Sequence, residues 1–171
     1  AFKKARLRSR PQATETELVA AARTLYNDPR LQLRRPGQRE AILAALGTQS
    51  AEQVVVVLAT GSGKTLLAMT AAVLEGAGTT ILILPTVALR GHMLERLRAA
   101  GIPALVWAPG ESSVAPLVVA SAEAACTRSF LDYALRLEGR QRLDRIVVDE
   151  CHLTLTAAAF RKSMLQLGAH V

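Results

Sequence analysis

Aromatic residues are scarce in this chain of 171 residues, where three Phe, two Tyr and one Trp make up 4% of the sequence. Half of the residues are nevertheless apolar. The core must therefore be aliphatic, built from Ala, Leu and Val. This composition excludes an intrinsically disordered chain, and the length is sufficient for one domain with a proper core.

Cysteine and long apolar runs are scarce as well. The two cysteines, Cys126 and Cys151, lie in apolar contexts without the spacing of metal ligands, which favours a reducing compartment over a disulfide framework. No apolar run approaches the ~20 residues of a membrane helix, so we expect no membrane partner. The basic N-terminus has no apolar segment and is not typical of a secretory signal. These absences together favour an intracellular protein.

Acidic residues are fewer than basic residues, and this difference is concentrated in the N-terminal part of the chain. The net charge is +7, and residues 1–40 hold ten Lys or Arg against four Asp or Glu, while the remainder holds eleven against ten. Five of the basic residues fall within residues 1–10. We predict that residues 1–13 form a basic flexible tail. Such a tail is simply solvated, or it contacts nucleic-acid phosphates or acts as a nuclear address, and these interpretations are compatible.

The most informative stretch is residues 54–65, with the sequence VVVVLATGSGKT. The valine run predicts a strand buried on both faces, as in a parallel sheet, and residues 66–74 predict a helix. A glycine-rich loop between strand and helix can bind phosphate through backbone N–H groups and the helix N-terminus. The predicted nucleotide-binding loop residues are Thr60, Gly61, Ser62 and Gly63.

The two residues after this loop carry the chemistry. Lys64 is predicted to contact the β- and γ-phosphates, and the Thr65 hydroxyl to bind Mg²⁺. The loop departs from the general phosphate-loop pattern, since position 58 is Leu where that pattern has Gly. The candidate ligands are therefore the phosphates of a nucleotide and Mg²⁺.

A second group of polar residues follows another apolar segment, Ile146 to Val148, which predicts a buried strand. Carboxylates at the carboxyl end of such a strand lie where open α/β sheets bind ligands. Asp149 is predicted to hold Mg²⁺, and Glu150 to polarise the attacking water as a general base. The alternative is a solvated strand end. Cys151 and His152 have no partner pair that would complete a metal site.

The remaining segments predict alternating helices and strands. A capping box at Thr14 and Glu17 opens the first helix, and a second helix covers Gln38 to Leu46. Three further strands are predicted at Thr79 to Leu84, Ile102 to Trp107 and Leu117 to Ala120, with one helix from Ser121 to about Leu137. Trp107 is predicted to be a core or strand-edge residue.

The motifs ATGSGKT and DECH, with RPGQREAI at residues 35–42, resemble motif I, the DExH box and motif 0 of the RecQ-like superfamily 2 (DEAD/DEAH-box) helicases. The resemblance implies that residues 14–171 are a first RecA-like domain. Its fold class is α/β, a P-loop NTPase with a mostly parallel sheet and helices on both faces. It also implies that Gln38 hydrogen-bonds the edge of adenine, that Arg35 helps to hold the base, and that His152 couples nucleotide state to nucleic-acid contacts. Taken alone, residues 35–42 also fit an ordinary loop-to-helix junction.

Weaker resemblances concern the nucleic acid. Residues 85–90, PTVALR, look like motif Ia, which implies that Thr86 and Arg90 contact the nucleic-acid backbone, although an ordinary capped helix has the same pattern. Ser121 matches a serine that caps a helix and faces the nucleic acid, but the family's following proline is Ala122 here. The family favours DNA over RNA as the partner.

The implied function is an ATP-dependent DNA helicase that uses ATP hydrolysis for strand separation in the full-length protein. The resemblance also implies that the chain stops before motif III and the second RecA-like domain, which leaves a gap in the sheet. We therefore expect no ATP hydrolysis from residues 1–171 alone. The alternative is a non-catalytic remnant that binds nucleotide or nucleic acid. The residues after DECH favour this alternative, since LTLTAAAFRKSM lacks the aromatic-rich coupling loop of the family.

Overall fold

The computed structural model describes residues 12–33, 37–48, 53–58, 63–85 and 87–151, apart from the side chains of 87 and 88. The chain divides into two compact units, residues 1–77 and 78–171. Among the described residues, none of the helices has both the length and the apolar character needed to cross a membrane.

The described part of the first unit is helical. Helix α1 spans Glu15–Tyr26, α2 spans Gln38–Leu46 and α3 spans Lys64–Val73. The capping box predicted at Thr14 and Glu17 is present, and α1 ends where Asn27 adopts a left-handed conformation with φ of 48°. Helices α1 and α2 also meet at a bridge in which the Ala13 N–H donates to the Leu46 carbonyl at 3.1 Å.

Aliphatic side chains join these three helices, as the composition predicts. Apolar residues recur along each helix at helical spacing, so each presents one face to the others. The shared core contains Leu18, Ala22, Ile42, Leu46, Leu66, Ala71 and Leu74.

The strand predicted at residues 54–58 is wrong for the structure described. These residues belong to no strand, and Val55 and Val57 are 75% and 90% exposed. A valine run favours an extended chain, but a strand also requires a neighbouring strand to accept its backbone hydrogen bonds. In the described part of the chain, all named strands belong to the second unit.

The second unit contains a parallel sheet of four strands in the order β2-β3-β1-β4. Strand β1 spans Thr79–Leu84, β2 Ala104–Val106, β3 Leu117–Ser121 and β4 Leu143–Val148. Helix α4 (Val87–Ala99) connects β1 to β2, and α5 (Ala122–Ala125) and α6 (Arg128–Gly139) connect β3 to β4. The α/β fold class and the parallel sheet are thus confirmed.

Helices cover both faces of this sheet because its two helical crossovers run in opposite directions. The connection from β1 to β2 passes β3, while the connection from β3 to β4 passes β1 on the way to the other side. Parallel crossovers are right-handed, so opposite directions place α4 on one face and α5 with α6 on the other. Strand β1 is buried along its whole length between the two layers.

The core under α5 and α6 contains three of the six aromatic residues of the chain. Trp107 is 3% exposed and meets Phe130 edge to face, with ring centroids 5.1 Å apart. The Tyr133 hydroxyl donates to the Ser113 carbonyl at 2.9 Å, and burial raises the pKa of this tyrosine. The prediction that Trp107 is a core residue is confirmed.

Two sequence-based expectations for this unit need correction. The helix expected from Ser121 to Leu137 is two helices, because the Thr127 hydroxyl donates to the Ala124 carbonyl and accepts from the Phe130 N–H, which starts α6. Strand β4 is only partly buried, with Ile146 37% exposed. Among the described strands, β4 pairs with β1 alone and lies at the edge of the sheet, so its other side lacks the cover that a central strand receives.

Candidate functional site

In the first unit, Gln38 lies against Gly63 at the end of the predicted phosphate loop. Gln38 is the first residue of α2 and is 8% exposed, a low value for a glutamine. A Cβ placed on Gly63 would come within 2.5 Å of the Gln38 Nε2. The sequence-predicted adenine contact and the glycine loop are therefore neighbours, although they are 25 residues apart in the chain (63 minus 38).

A second glycine allows this approach. Gly37 precedes α2 with φ of +76°, and a Cβ on it would meet the Leu58 Cδ2 at 2.9 Å. The start of α2 thus packs closely against the segment that leads into the loop. Two positions without side chains bring the two motifs together, and larger residues at either position would separate them.

Gly63 also begins the helix that carries Lys64 and Thr65. It is the N-cap of α3 with φ of +82°, and it offers no side chain to cap the helix. Lys64 and Thr65 are the first two residues of α3 and are half-buried. The N-terminus of a helix carries partial positive charge and outward-pointing N–H groups, so this position suits a phosphate group.

In the second unit, the carboxyl ends of three adjacent strands bring several predicted residues to one edge. Ser121 pairs with Leu84 at the end of β1. On the other side of β1, the Asp149 N–H donates to the Ile83 carbonyl at 2.9 Å. Ser121 and Asp149 therefore flank the end of β1 at roughly 10 Å from each other, which is two strand spacings.

Asp149 and Glu150 form a tight turn directly after β4. The Asp149 Oδ1 accepts a hydrogen bond from the Glu150 N–H at 3.0 Å. Glu150 has φ of 51°, in the left-handed region that L-residues seldom occupy. Strained backbone of this kind is typical of functional positions, and both carboxylates are partly exposed at the sheet edge.

The predicted nucleic-acid contacts are described in part. Arg90 lies in the first turn of α4, directly after β1, and is partly exposed. The Ser121 hydroxyl accepts a hydrogen bond from the Ala124 N–H at 3.2 Å and caps α5, which confirms the capping role. The other predicted site residues lie outside the described residues: Arg35, Thr60, Gly61, Ser62, Thr86 and His152.

The residues present fit a nucleotide with its metal ion. Among the described residues, no three His, Cys, Asp or Glu side chains cluster as a metal site. Mg²⁺ that accompanies a nucleotide needs only one or two protein oxygens, because phosphate oxygens and water supply the others. The Thr65 hydroxyl in the first unit and the Asp149 carboxylate in the second unit are each an oxygen donor of this type.

The comparisons with known proteins agree with these observations. The family model for the DEAD/DEAH box helicase matches residues 35–171. The chain belongs to the DEAD/DEAH box helicase family. It is also similar to the ATP-dependent DNA helicase hus2/rqh1 of Schizosaccharomyces pombe, with 30% identity over 154 residues, and this match covers 78% of the present chain. The chain spans 11% of the length of that relative.

Membership of the DEAD/DEAH box family agrees with the helicase motifs found in the sequence, but two other contacts were not expected from the sequence. Arg39 forms a double hydrogen bond with Glu15, and the buried Asp144 carboxylate accepts from the Gly78 N–H at 2.5 Å. Glu15 and Arg39 have opposite charges, but they lie 24 residues apart in the sequence. No local pattern connects them, so the sequence alone does not predict the pair.

An open cleft elsewhere in the second unit contains none of the predicted site residues. Its lining consists of Gly110, Glu111, Ser129, Asp132, Leu135 and Arg136. The Glu111 carboxylate there accepts hydrogen bonds from the N–H groups of Ser112 and Ser113, which lower the pKa of Glu111. That carboxylate already accepts hydrogen bonds within its own loop. The cleft contains no residue of the helicase motifs.

Proposed function

We propose that this chain is the ATP-binding and nucleic-acid-binding part of a RecQ-like DNA helicase, and that it hydrolyses ATP with Mg²⁺ to drive strand separation in the full-length protein. Family membership supports helicase-type binding of ATP and nucleic acid. The observation that carries the finer proposal is the contact between Gln38 and Gly63, because it joins a candidate base-binding amide to a candidate phosphate loop.

The residues of the first unit bind the nucleotide in this proposal. The Gln38 amide offers a donor and an acceptor, which is what the edge of adenine requires and what guanine does not match. Arg35 supports the base, and the loop from Thr60 to Gly63 holds the phosphates through backbone N–H groups. The Lys64 ammonium contacts the terminal phosphates as a compact positive charge.

The residues of the second unit supply the carboxylates. Asp149 is the Mg²⁺ ligand that this unit would provide, and the metal would supply charge neutralisation at the phosphates when it is bound. Glu150 accepts the proton of the attacking water as general base. Its backbone is held in an unusual conformation at the end of β4, so the position of its carboxylate is set by the turn.

Nucleic acid binds at the carboxyl edge of the sheet in this proposal. Thr86 and Arg90 follow β1, and Ser121 ends the neighbouring strand β3. Hydroxyl and guanidinium groups suit phosphate oxygens without selecting a base sequence. The similar protein of S. pombe is a DNA helicase, which favours DNA. A second RecA-like domain completes the motor, His152 couples the two ligands, and the basic tail favours a nuclear location.

Nucleotide titration of the 171-residue chain by calorimetry tests the proposal. We expect ATP with Mg²⁺ to bind more tightly than GTP. Lys64→Ala should weaken ATP binding by about tenfold or more, the cost of a charge-assisted hydrogen bond. Gln38→Ala should remove the preference for ATP, and the exposed Gln53 provides the matched control through Gln53→Ala. Equal ATP affinity in the wild type and Lys64→Ala would contradict the proposal.

A further inference from the structure

Glu15 and Arg39 form a two-point ion pair between the first turns of α1 and α2. The Arg39 Nε donates to the Glu15 Oε1 at 2.6 Å, and a terminal guanidinium nitrogen donates to Oε2 at 2.6 Å. This parallel geometry fixes the orientation of both side chains, which a single contact would not do. The pair therefore fixes the first turn of α2 to the first turn of α1.

The opposite end of α2 is attached to the same partner. The Ala13 N–H, just before α1, donates to the Leu46 carbonyl at the last residue of α2. Between these two attachments, Ile42 is 2% exposed in the core shared by the three helices. Helix α2 is thus held at both ends and along one side, so its rotation about its own axis is restricted.

The rotation of α2 matters because Gln38 is the neighbour of Arg39. A rotation that moved the Arg39 side chain would also move Gln38, since both belong to the first turn of α2. The Gln38 amide lies so close to Gly63 that no side chain fits there. A small displacement of the first turn would therefore change where the amide donor and acceptor point.

We infer that Glu15, acting through Arg39, is a positioning residue that aligns the Gln38 amide beside the phosphate loop and so contributes to the selectivity for adenine. This inference rests on the proposed nucleotide-binding function. It extends the base-binding site to α1, which contains none of the helicase motifs. The hydrogen bonds from Arg39 also lower the pKa of Glu15, so the carboxylate stays ionised at neutral pH.

A purely stabilising surface pair is the competing explanation. Both side chains of the pair are 45% exposed, and exposed ion pairs contribute little to stability. Removal of the pair should therefore leave the chain folded. Overall affinity and base selectivity then separate the two explanations, because a stabilising pair affects ATP and GTP equally, while a positioning pair affects their ratio.

The experiment measures the ATP and GTP affinities of the 171-residue chain with Mg²⁺ by calorimetry, together with thermal melting. Glu15→Gln should lower the ATP-to-GTP affinity ratio by about threefold or more, a change of the size that one weak surface pair can supply. Arg39→Lys should do the same, because an ammonium cannot form the parallel pair. The exchange of both residues, Glu15→Arg with Arg39→Glu, should restore part of the ratio.

The matched control is the exposed pair between Arg128 and Asp132 on α6, where Asp132→Asn should leave the ratio unchanged. In a Gln38→Ala background, Glu15→Gln should have no further effect on the ratio, because the amide that it positions is gone. An unchanged ratio in Glu15→Gln, or an equal loss of ATP and GTP affinity, overturns the inference. A wild-type chain without any preference for ATP instead contradicts the proposed function.

Discussion

The side chain of Gln38 occupies the space that a side chain at Gly63 would need. A Cβ on Gly63 would come within 2.5 Å of the Gln38 Nε2, and Gly63 has φ of +82°. Two separate constraints thus require glycine at this position, one from the backbone and one from the neighbouring amide. The requirement connects the motif that contains Gln38 with the loop that precedes Lys64.

Gly63→Ala should therefore damage both stability and nucleotide binding. The left-handed backbone alone costs an L-residue about 1–2 kcal/mol. The added methyl group also displaces the Gln38 amide, so we expect the preference for ATP over GTP to fall together with ATP affinity. Urea unfolding and calorimetric titration of the same sample check both expectations. Retention of both the stability and the preference would contradict the close contact.

Gly91→Ala provides the matched control for that substitution. Gly91 lies inside α4, and a Cβ placed on it meets no atom within 4 Å. Alanine should stabilise the helix by about 0.5–1 kcal/mol relative to glycine, because it restricts the unfolded chain and has a higher helix propensity. Nucleotide affinity should not change. A loss of stability would show that the space around Gly91 is more restricted.

The buried carboxylate of Asp144 should be important for the stability of the second unit. Asp144 is 3% exposed and accepts a hydrogen bond from the N–H of the buried Gly78, just before β1. Asp144→Ala leaves that donor without this acceptor and should cost about 1–3 kcal/mol in the free energy of unfolding. Asp144→Asn keeps an acceptor oxygen and should cost less. Equal losses in the two variants would argue against the hydrogen bond.

Helix α1 should lose stability in acid because of its capping box. The Thr14 N–H donates to the Glu17 Oε2 at 2.7 Å, and this bond, with a second from the Thr14 hydroxyl, lowers the pKa of Glu17. A lowered carboxyl pKa stabilises the folded state above the usual glutamate value of about 4.3 and loses that effect as pH falls through the lowered value.

The measurement is helical circular dichroism and unfolding of the wild type and Glu17→Gln between neutral pH and about pH 3, below the usual glutamate value. Glutamine keeps the geometry of a capping box but does not titrate, so its variant should lose less stability on acidification. Identical pH dependence in both proteins would assign the acid effect to other carboxylates, with Glu15 as the next candidate, since Arg39 lowers its pKa.

Local patterns were sufficient to predict much of this structure. The capping box located the start of α1, and the bounds of β1 match the apolar run from Thr79 to Leu84. The strand that the valines predicted at residues 54–58 was wrong, because hydrogen bonding between strands depends on residues far away in the chain. Local composition indicates which secondary structure a segment favours. Whether a neighbouring strand is present depends on the rest of the fold.

The candidate site also contains both features that local sequence predicts and features that depend on distant contacts. The spacing of Gly63, Lys64 and Thr65 predicts a phosphate loop from sequence alone, since each role depends on its immediate neighbours. The pair formed by Glu15 and Arg39 could not be predicted in this way, because it depends on how two helices pack. The left-handed conformation of Glu150 could not be predicted either, because a glutamate gives no local signal for positive φ.

The basic tail should add salt-dependent affinity for nucleic acid. Five Lys or Arg residues fall within residues 1–10, and each basic side chain that neutralises a phosphate releases counterions from the nucleic acid. Deletion of residues 1–12 should therefore reduce the slope of log K against log salt concentration for single-stranded DNA, by about 0.7 for each phosphate that the tail neutralises. An unchanged slope would place the electrostatic interactions elsewhere, with Arg90 as a candidate.

Hydrolysis of ATP should require more than residues 1–171. In the proposed function, Asp149 and Glu150 place metal and water and Lys64 holds the phosphates, while the arginines that close the site of a RecQ-like helicase come from a second domain. In phosphate-loop enzymes such an arginine contributes roughly 10³–10⁵ in rate. We therefore expect negligible turnover and no unwinding from this chain alone, and DNA-stimulated turnover in the full-length protein.

Glu150→Gln is the variant that tests the catalytic part of this prediction. Glutamine has the same shape and the same β-carbon, so the strain at φ of 51° is unchanged while the general base is removed. In the full-length protein this variant should bind ATP normally and lose steady-state hydrolysis with single-stranded DNA. Absence of hydrolysis from the unaltered full-length protein would favour a non-catalytic binding protein. DNA-stimulated turnover by residues 1–171 that is abolished in Glu150→Gln would show that the second domain is not needed.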